Sequence, residues 1–286
     1  MTDAGRALAA ARDAWTVNDW AAQERHALAA IQATRDDAEK AMAFHHLGLA
    51  LYHRNAADDA RAAYNRAIEL YAKCGDRQSV AFVQVSLGSL ELDVRGDYAA
   101  ARRYYDAALP LLRERGGAPL GIALGNVGEA QRLEGEYESA LRSARESLGI
   151  FREVNDTNRE GWQLVVLANC HTLLRRYEDA FSSLREAYEA LSQQSNPRWY
   201  AHYFDAWLML AVSLRRWETA AILAGFIDRY RHENAVPRLA GLAPWYRLSV
   251  GQIERHLEAD ALFLLRMQGA KLSVEQAQGA TRGITA

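Results

Sequence analysis

The sequence predicts an all-α protein: a right-handed α-solenoid of about six stacked helix hairpins, closed by a C-terminal helical cap. Three observations carry that expectation. Ala, Leu, Arg and Glu dominate over the β-branched residues, and proline occurs only five times in 286 residues. No segment alternates apolar and polar residues with the period of two that a half-buried strand requires. Finally, Gly48, Gly88, Gly128, Ala168 and Leu208 recur every 40 residues, which is the mark of a repeat architecture.

The first hairpin is expected at 4–34. Its first helix runs from about Ala4 to Val17, Asn18-Asp19-Trp20 form the turn, and Ala27 and Ala30 lie on the second helix. The following hairpins are expected at 38–73, 78–115, 118–154, 158–195 and 198–233, so that the array fills 1–236. Each carries the same ladders. Before the small residue stands Leu47, Leu87, Val127, Leu167 or Trp207. On the second helix come Ala60, Ala101, Ala140, Ala180 and Ala220, then Tyr64, Tyr105, Ala144, Leu184 and Ala224, then Ala67, Ala108, Ser147, Ala187 and Ile227. A glycine on one helix and an alanine on the next let two helices approach closely, and larger neighbours fill the space beside them. One such hairpin leaves an apolar face uncovered, so the units must stack.

After Pro237 the repeat is lost, and 237–278 is expected to form capping helices. Ala243 to Met267 reads as helical, with the apolar stripe Trp245, Leu248, Ile253, Leu257 and Leu262. Ser273 and Gln276 have the spacing of a capping box at the start of a further helix. The tail, 279–286, is expected to be flexible.

The hairpin pattern resembles the tetratricopeptide repeat, whose signature is W-x2-L-G-x2-Y followed by A-x3-F and a final alanine. Phe44, Leu47, Gly48, Leu51, Ala60, Tyr64 and Ala67 carry the resemblance in the second unit. The usual period of that repeat is 34. The extra residues here fall where the second helix meets the next unit, as in the stretches 71–78 and 151–158. Such lengthened repeats are similar to those of bacterial regulators, typified by the maltose-regulon activator, and of animal polarity adaptors. The stretch Gly269–Ala277, G-x-x-L-S-x-E-x-A, resembles the ends of helical-repeat regions in bacterial signalling proteins with LuxR-type or AfsR-type DNA-binding domains.

Several function classes are excluded by what the chain contains. A net charge of −2 lacks the basic excess of a nucleic-acid binder. No apolar run approaches membrane-spanning length, and the first nineteen residues hold Asp3, Arg6, Arg12 and Asp13, unlike a signal peptide. Two distant cysteines, Cys74 and Cys170, form neither a disulfide framework nor a zinc spacing, so the expected location is the cytoplasm. No phosphate-binding loop, nucleophile elbow or zinc-protease motif occurs. Cys170 and His171 are adjacent and point in different directions on a helix. His45, His46 and His53 lack a further convergent ligand and read as polar groove lining. Glu134, Glu136 and Glu138 fall at a turn. The expectation is a non-enzymatic protein without metal or cofactor.

The tetratricopeptide resemblance implies that the first helix of each unit lines a concave groove. The lining is then Met42, His45, Leu49 and Tyr52; Phe82, Val85, Ser89 and Leu92; Ile122, Gly125, Glu129 and Arg132; Trp162, Val165, Asn169 and Thr172; and His202, Asp205, Met209 and Val212. Asn126 and Asn169 occupy positions at which peptide-clamping members carry asparagine, whose amide can both donate to and accept from a peptide backbone. The basic residues of a dicarboxylate clamp are replaced by His45, Val85, Phe82 and Ile122, so an acidic chaperone tail is not the implied ligand. Pro197–Trp207, unusually aromatic, joins Trp162 as a candidate apolar pocket.

The candidate binding residues are thus His45, Leu49, Tyr52, Phe82, Ser89, Asn126, Glu129, Arg132, Trp162, Asn169, His202 and Asp205. The implied function is a scaffold that binds a protein or peptide in its groove, in bacterial signalling or regulation. The alternative is a small-molecule or signal-peptide sensor of a transcriptional regulator system. Nucleic acid and membrane are not expected partners, and a weak homodimer through an exposed end of the stack is.

Overall fold

The computed structural model describes residues 2–192, 196–238 and 242–284. The chain forms two compact units, residues 1–126 and 127–286. The first holds α1 (Asp3–Thr16), α2 (Trp20–Ala33), α3 (Asp37–His53), α4 (Ala57–Lys73), α5 (Arg77–Leu90) with a π-helical turn at Glu91–Arg95, and α6 (Tyr98–Arg115). Helix α7 (Gly117–Leu133) runs across the boundary. The second unit continues with α8 (Tyr137–Glu153), α9 (Thr157–Leu173), α10 (Tyr177–Ser192), α11 (Pro197–Ser213), α12 (Trp217–Glu233), α13 (Ala243–His256), α14 (Ala259–Gly269) and α15 (Val274–Thr281). The described residues contain no strand.

The helix ends follow from local chemistry. Asp19, Asp36, Asp76, Asp97 and Asp156 each accept a hydrogen bond from the backbone N–H three residues on, covering an otherwise orphaned donor at a helix start. Ser273 and Gln276 form the expected capping box, each side chain meeting the other's backbone N–H. The reversals within hairpins turn on one left-handed residue: Asn18, Asn55, Gly96, Gly135, Arg175 or Arg215. At Arg215 the closure is complete, with the Arg215 N–H on the Val212 carbonyl and the Arg216 N–H on the Ala211 carbonyl.

The ladders read from the sequence are the packing seams. Ala60, Tyr64 and Ala67 of α4 and Ala101, Tyr105 and Ala108 of α6 are buried in the first unit. In the second unit the same holds for Ala140, Ala144 and Ser147 of α8, Ala180, Leu184 and Ala187 of α10, and Ala220, Ala224 and Ile227 of α12. The glycines are small for the predicted reason. A Cβ on Gly48 would stand 2.5 Å from the Tyr64 ring, and one on Gly88 would meet the Tyr105 ring more closely still. At Gly128 the facing surface is Ala140, Ser143 and Ala144, at 3.3 Å or more.

The π-helical turn accounts for one irregularity in the phase. Thirteen residues separate Gly88 from Ala101, whereas twelve separate Gly48 from Ala60 and Gly128 from Ala140. One wide turn absorbs the extra residue and returns Ala101 to its seam. Its Glu91 is buried and paired with Arg61 of α4, and its Asp93 accepts from the Tyr52 hydroxyl of α3.

The C-terminal segment departs from expectation. The helical segment expected from Ala243 to Met267 is divided in two: α13 ends at His256, Leu257 is extended, and α14 begins after Glu258. Of the expected stripe, Ile253 is buried and Leu257 and Leu262 pack partly against the second unit's core, while Leu248 is largely exposed. The break lets α14 turn onto α12. There Gly225 lies against the Arg266 backbone and Gly269 against the Ile222 backbone, too close for either to carry a Cβ. The tail expected to be flexible begins inside α15, and both Thr281 and Ile284 are buried. Residues 285–286 lie outside the described residues.

Candidate ligand-binding site

In the first unit the expected groove residues pair with one another along the first helices. His45 of α3 sits 2.9 Å from the Ser86 hydroxyl of α5, through Nε2, and meets the Phe82 ring edge-on at 5.5 Å. Burial lowers the His45 pKa to about 3, with His46 adding repulsion, so the ring is neutral. Tyr52 is tied to Asp93, and Leu49 packs on the core around Tyr64. Ser89 donates to the Val85 carbonyl at 3.1 Å and accepts from the Asn126 amide at 2.9 Å. Met42 is exposed. The three neighbouring histidines diverge: His46 faces Gln23 and His53 stacks on Trp20 at 3.9 Å. Among the described residues no cluster of three His, Cys, Asp or Glu is arranged to hold a metal.

In the second unit six of the candidate binding residues converge. Glu129 and Arg132 of α7, Trp162 and Asn169 of α9, and His202 and Asp205 of α11 line one cavity, together with Ala206 and Met209. These helices present successive turns to the same side, so residues about 40 apart in sequence become neighbours. Glu129 holds Arg132 through two hydrogen bonds, at 2.8 and 2.7 Å, with both side chains buried. Trp162 meets the His202 ring at 5.1 Å and Trp199 at 5.2 Å. Asp205 is bonded to Arg231 of α12 and lies 3.6 Å from Arg238. Burial pushes the Asp205 carboxyl up, against the pull of those two guanidiniums. Burial, with Arg231 alongside, holds His202 well below the usual imidazole range, so it is neutral. Asn169 is buried at 8% exposure, and its carbonyl oxygen has no hydrogen-bond partner.

The cavity is roofed by a segment that sequence reasoning placed elsewhere. Leu242, Trp245 and Tyr246, at the start of α13, complete its lining. The Arg238 guanidinium lies 3.4 Å over the Tyr246 ring and pairs with Asp228 at 2.8 Å, while Arg231 donates to the Pro237 carbonyl. The remaining volume is about 20 Å³, room for roughly one water. The lining was expected to be an open groove; the roof closes it. The signals that could have found the roof are Pro244-Trp245-Tyr246 directly after the last repeat and a single arginine, Arg231, inside the apolar ladder of α12.

Cys170 and His171 are both buried. Cys170 is fully buried and burial raises its thiol to about 12. His171 points another way and is buried as well, with Asp179 3.7 Å away. No described helix is long and apolar enough to cross a membrane.

Comparison with known proteins agrees with this architecture. Residues 79–153 and 120–193 match the tetratricopeptide repeat model. No curated protein matches the chain. Among solved structures, a Rap protein complexed with Competence and Sporulation Factor is similar over 91% of this chain and 74% of its own, at 15% identity and a TM-score of 0.62. The Rap conjugation gene regulator of plasmid pLS20, in complex with the Phr* peptide, is similar over 88% of this chain and 75% of its own, at 16% identity and a TM-score of 0.63. Aspartyl phosphate phosphatase F from Bacillus subtilis is similar over 90% of this chain and 66% of its own, at 15% identity and a TM-score of 0.56. At such identities the likeness concerns the fold, which is an all-α helical-repeat solenoid of the tetratricopeptide kind.

Proposed function

We propose that this chain is a non-enzymatic cytoplasmic scaffold in bacterial regulation, and that it binds a protein or peptide partner along the faces of its first helices. The cavity beside Asn169 is the anchoring point. The observation that carries the reading is the buried Asn169 carbonyl, left without a partner in the wall of a cavity to which five further candidate binding residues contribute. A buried acceptor without a donor costs about 1–3 kcal/mol, which a peptide N–H would recover.

The other polar groups support recognition over catalysis. Glu129 is spent on Arg132 and Asp205 on Arg231, so neither carboxylate is poised to take a proton from a substrate. Two fold neighbours are complexes with a signalling factor or a peptide, and that analogy favours a peptide partner. The stretch Gly269–Ala277, similar to regions of LuxR-type and AfsR-type regulators, supports the regulatory part of the proposal. A ligand entering the cavity displaces Trp245 and Tyr246, so binding is coupled to movement of α13.

The test is a displayed random-peptide selection against the intact chain, followed by titration of the enriched peptides. Asn169→Ala should weaken them about tenfold, the value of one or two lost hydrogen bonds. Arg142→Ala, on the exposed side of α8, should leave them unchanged. Failure to enrich any peptide, or equal binding by both variants, would overturn the proposal.

A further inference from the structure

Helix α14 has two faces, and folding uses only one. Leu262, Leu265 and Gly269 lie toward the second unit's core, where Gly225 and Gly269 bring the α12 and α14 backbones into direct contact. Arg266 on the same side is held by Asp228 at 2.5 Å. The helix is therefore fixed in orientation, and its opposite face is presented outward. That face is apolar: Phe263 is 63% exposed, Leu264 66% and Met267 44%. Beside it runs an open groove of about 600 Å³, lined by Leu257, Ala259, Leu262, Phe263 and Met267 and edged by Glu254 and Arg266. Scattered single apolar residues on a surface need no explanation, but a contiguous patch with its own groove marks an interaction site.

The spacing of charge along that face selects the partner. Asp260, Leu264 and Met267 follow one another at intervals of four and three residues, the stripe by which two helices meet side by side, and Lys271 stands in the turn two residues past the helix end. The acid stands at the N-terminal end and the base at the C-terminal end. Both are exposed, and neither makes an ion pair among the described residues. A second copy laid antiparallel, with its two-fold axis between Leu264 and Met267, sets Asp260 of each copy against Lys271 of the other and Leu264 against Met267. Such a face is complementary to itself, the condition for an isologous dimer. A net charge of −2 opposes association little.

We propose that the outer face of α14 is a homodimer interface and that two copies of this chain pair through antiparallel α14 helices. The proposal stands apart from ligand binding at the Asn169 cavity, which lies under α13.

Sedimentation of the full chain from about 1 μM to about 1 mM tests it. The expected result is a reversible monomer–dimer equilibrium. Leu264→Glu and Phe263→Glu, both at exposed positions, should raise the dissociation constant about tenfold or more while helicity and melting temperature hold. Asp260→Lys and Lys271→Asp should each weaken the dimer, and the two together should restore it. A wild-type chain that stays monomeric throughout overturns the proposal, as does a dimer indifferent to Leu264→Glu and Phe263→Glu. A charge swap that fails to restore association overturns the antiparallel pairing. Capture of a different protein on this face, with no self-association, overturns the choice of occupant.

Discussion

A single methyl group distinguishes the glycines that hold helices together from those that do not. Gly48→Ala and Gly88→Ala drive a Cβ into a buried tyrosine ring, so each should cost about 1–3 kcal/mol, read as a lower melting temperature. Gly149, exposed inside α8 with open space around its Cα, should behave oppositely: Gly149→Ala removes unfolded-state freedom and should stabilise by about 0.5–1 kcal/mol. Asn169 couples stability to binding at one residue. Asn169→Leu removes a buried, unpartnered acceptor and should raise the melting temperature while abolishing affinity for peptides that engage the cavity. Buried histidines add a pH dependence of definite sign. His45 takes a proton at about pH 6.5 when unfolded but only near 3 when folded, and His46 and His202 are lowered in the same direction. Between those values the unfolded chain binds the extra proton. Stability is therefore full above about pH 6.5 and is lost as pH falls toward 3. Thermal melts from pH 7.5 to 5 should show the decline, and His45→Gln should shallow it; a flat profile would refute the assignment.

Turns and crossings decide how the helices are joined. Arg175 and Arg215 adopt left-handed backbone at the same place in consecutive hairpins where Gly96 and Gly135 serve earlier ones. A non-glycine residue there is held at a cost of about 1 kcal/mol. Arg215→Gly should therefore raise stability by a few tenths to about 1 kcal/mol in chemical denaturation, despite the greater freedom of glycine in the unfolded chain. The contact of α14 with α12 is more exacting, because backbone meets backbone and no side chain can yield. Gly225→Ala should detach α14 and expose its inner face, raising hydrogen exchange in 259–269. The π-helical turn at Glu91–Arg95 shows the reverse: an irregular element that keeps the larger pattern regular by absorbing one residue.

In a stack of incomplete hairpins the last one must be covered. Ile253, Ala277 and Ile284 all enter the second unit's core, and Trp245, Leu262 and Leu272 pack on its edge. A chain ending at Val236 loses this cover. It should show dye-detectable apolar surface and a lower melting point, with helicity of the remaining segments largely retained. The same truncation removes the roof of the Asn169 cavity, so a truncated chain that still binds selected peptides would support displacement of α13 as the entry step.

The seams were legible in the sequence because they repeat. Ala60, Ala101, Ala140, Ala180 and Ala220 must be small wherever two helices touch at that height, and a requirement repeated five times at one spacing can be seen without coordinates. Half of the candidate binding residues converge for the same reason, since Glu129, Asn169 and His202 share a cavity by virtue of their register. What lay beyond the repeat was not legible. The break at Leu257, the roof of Trp245 and Tyr246, and the Gly225–Gly269 crossing occur once each, and nothing local to them names the distant surface they meet. Only the folded chain decides those contacts, because they are set by which surfaces the completed stack leaves bare.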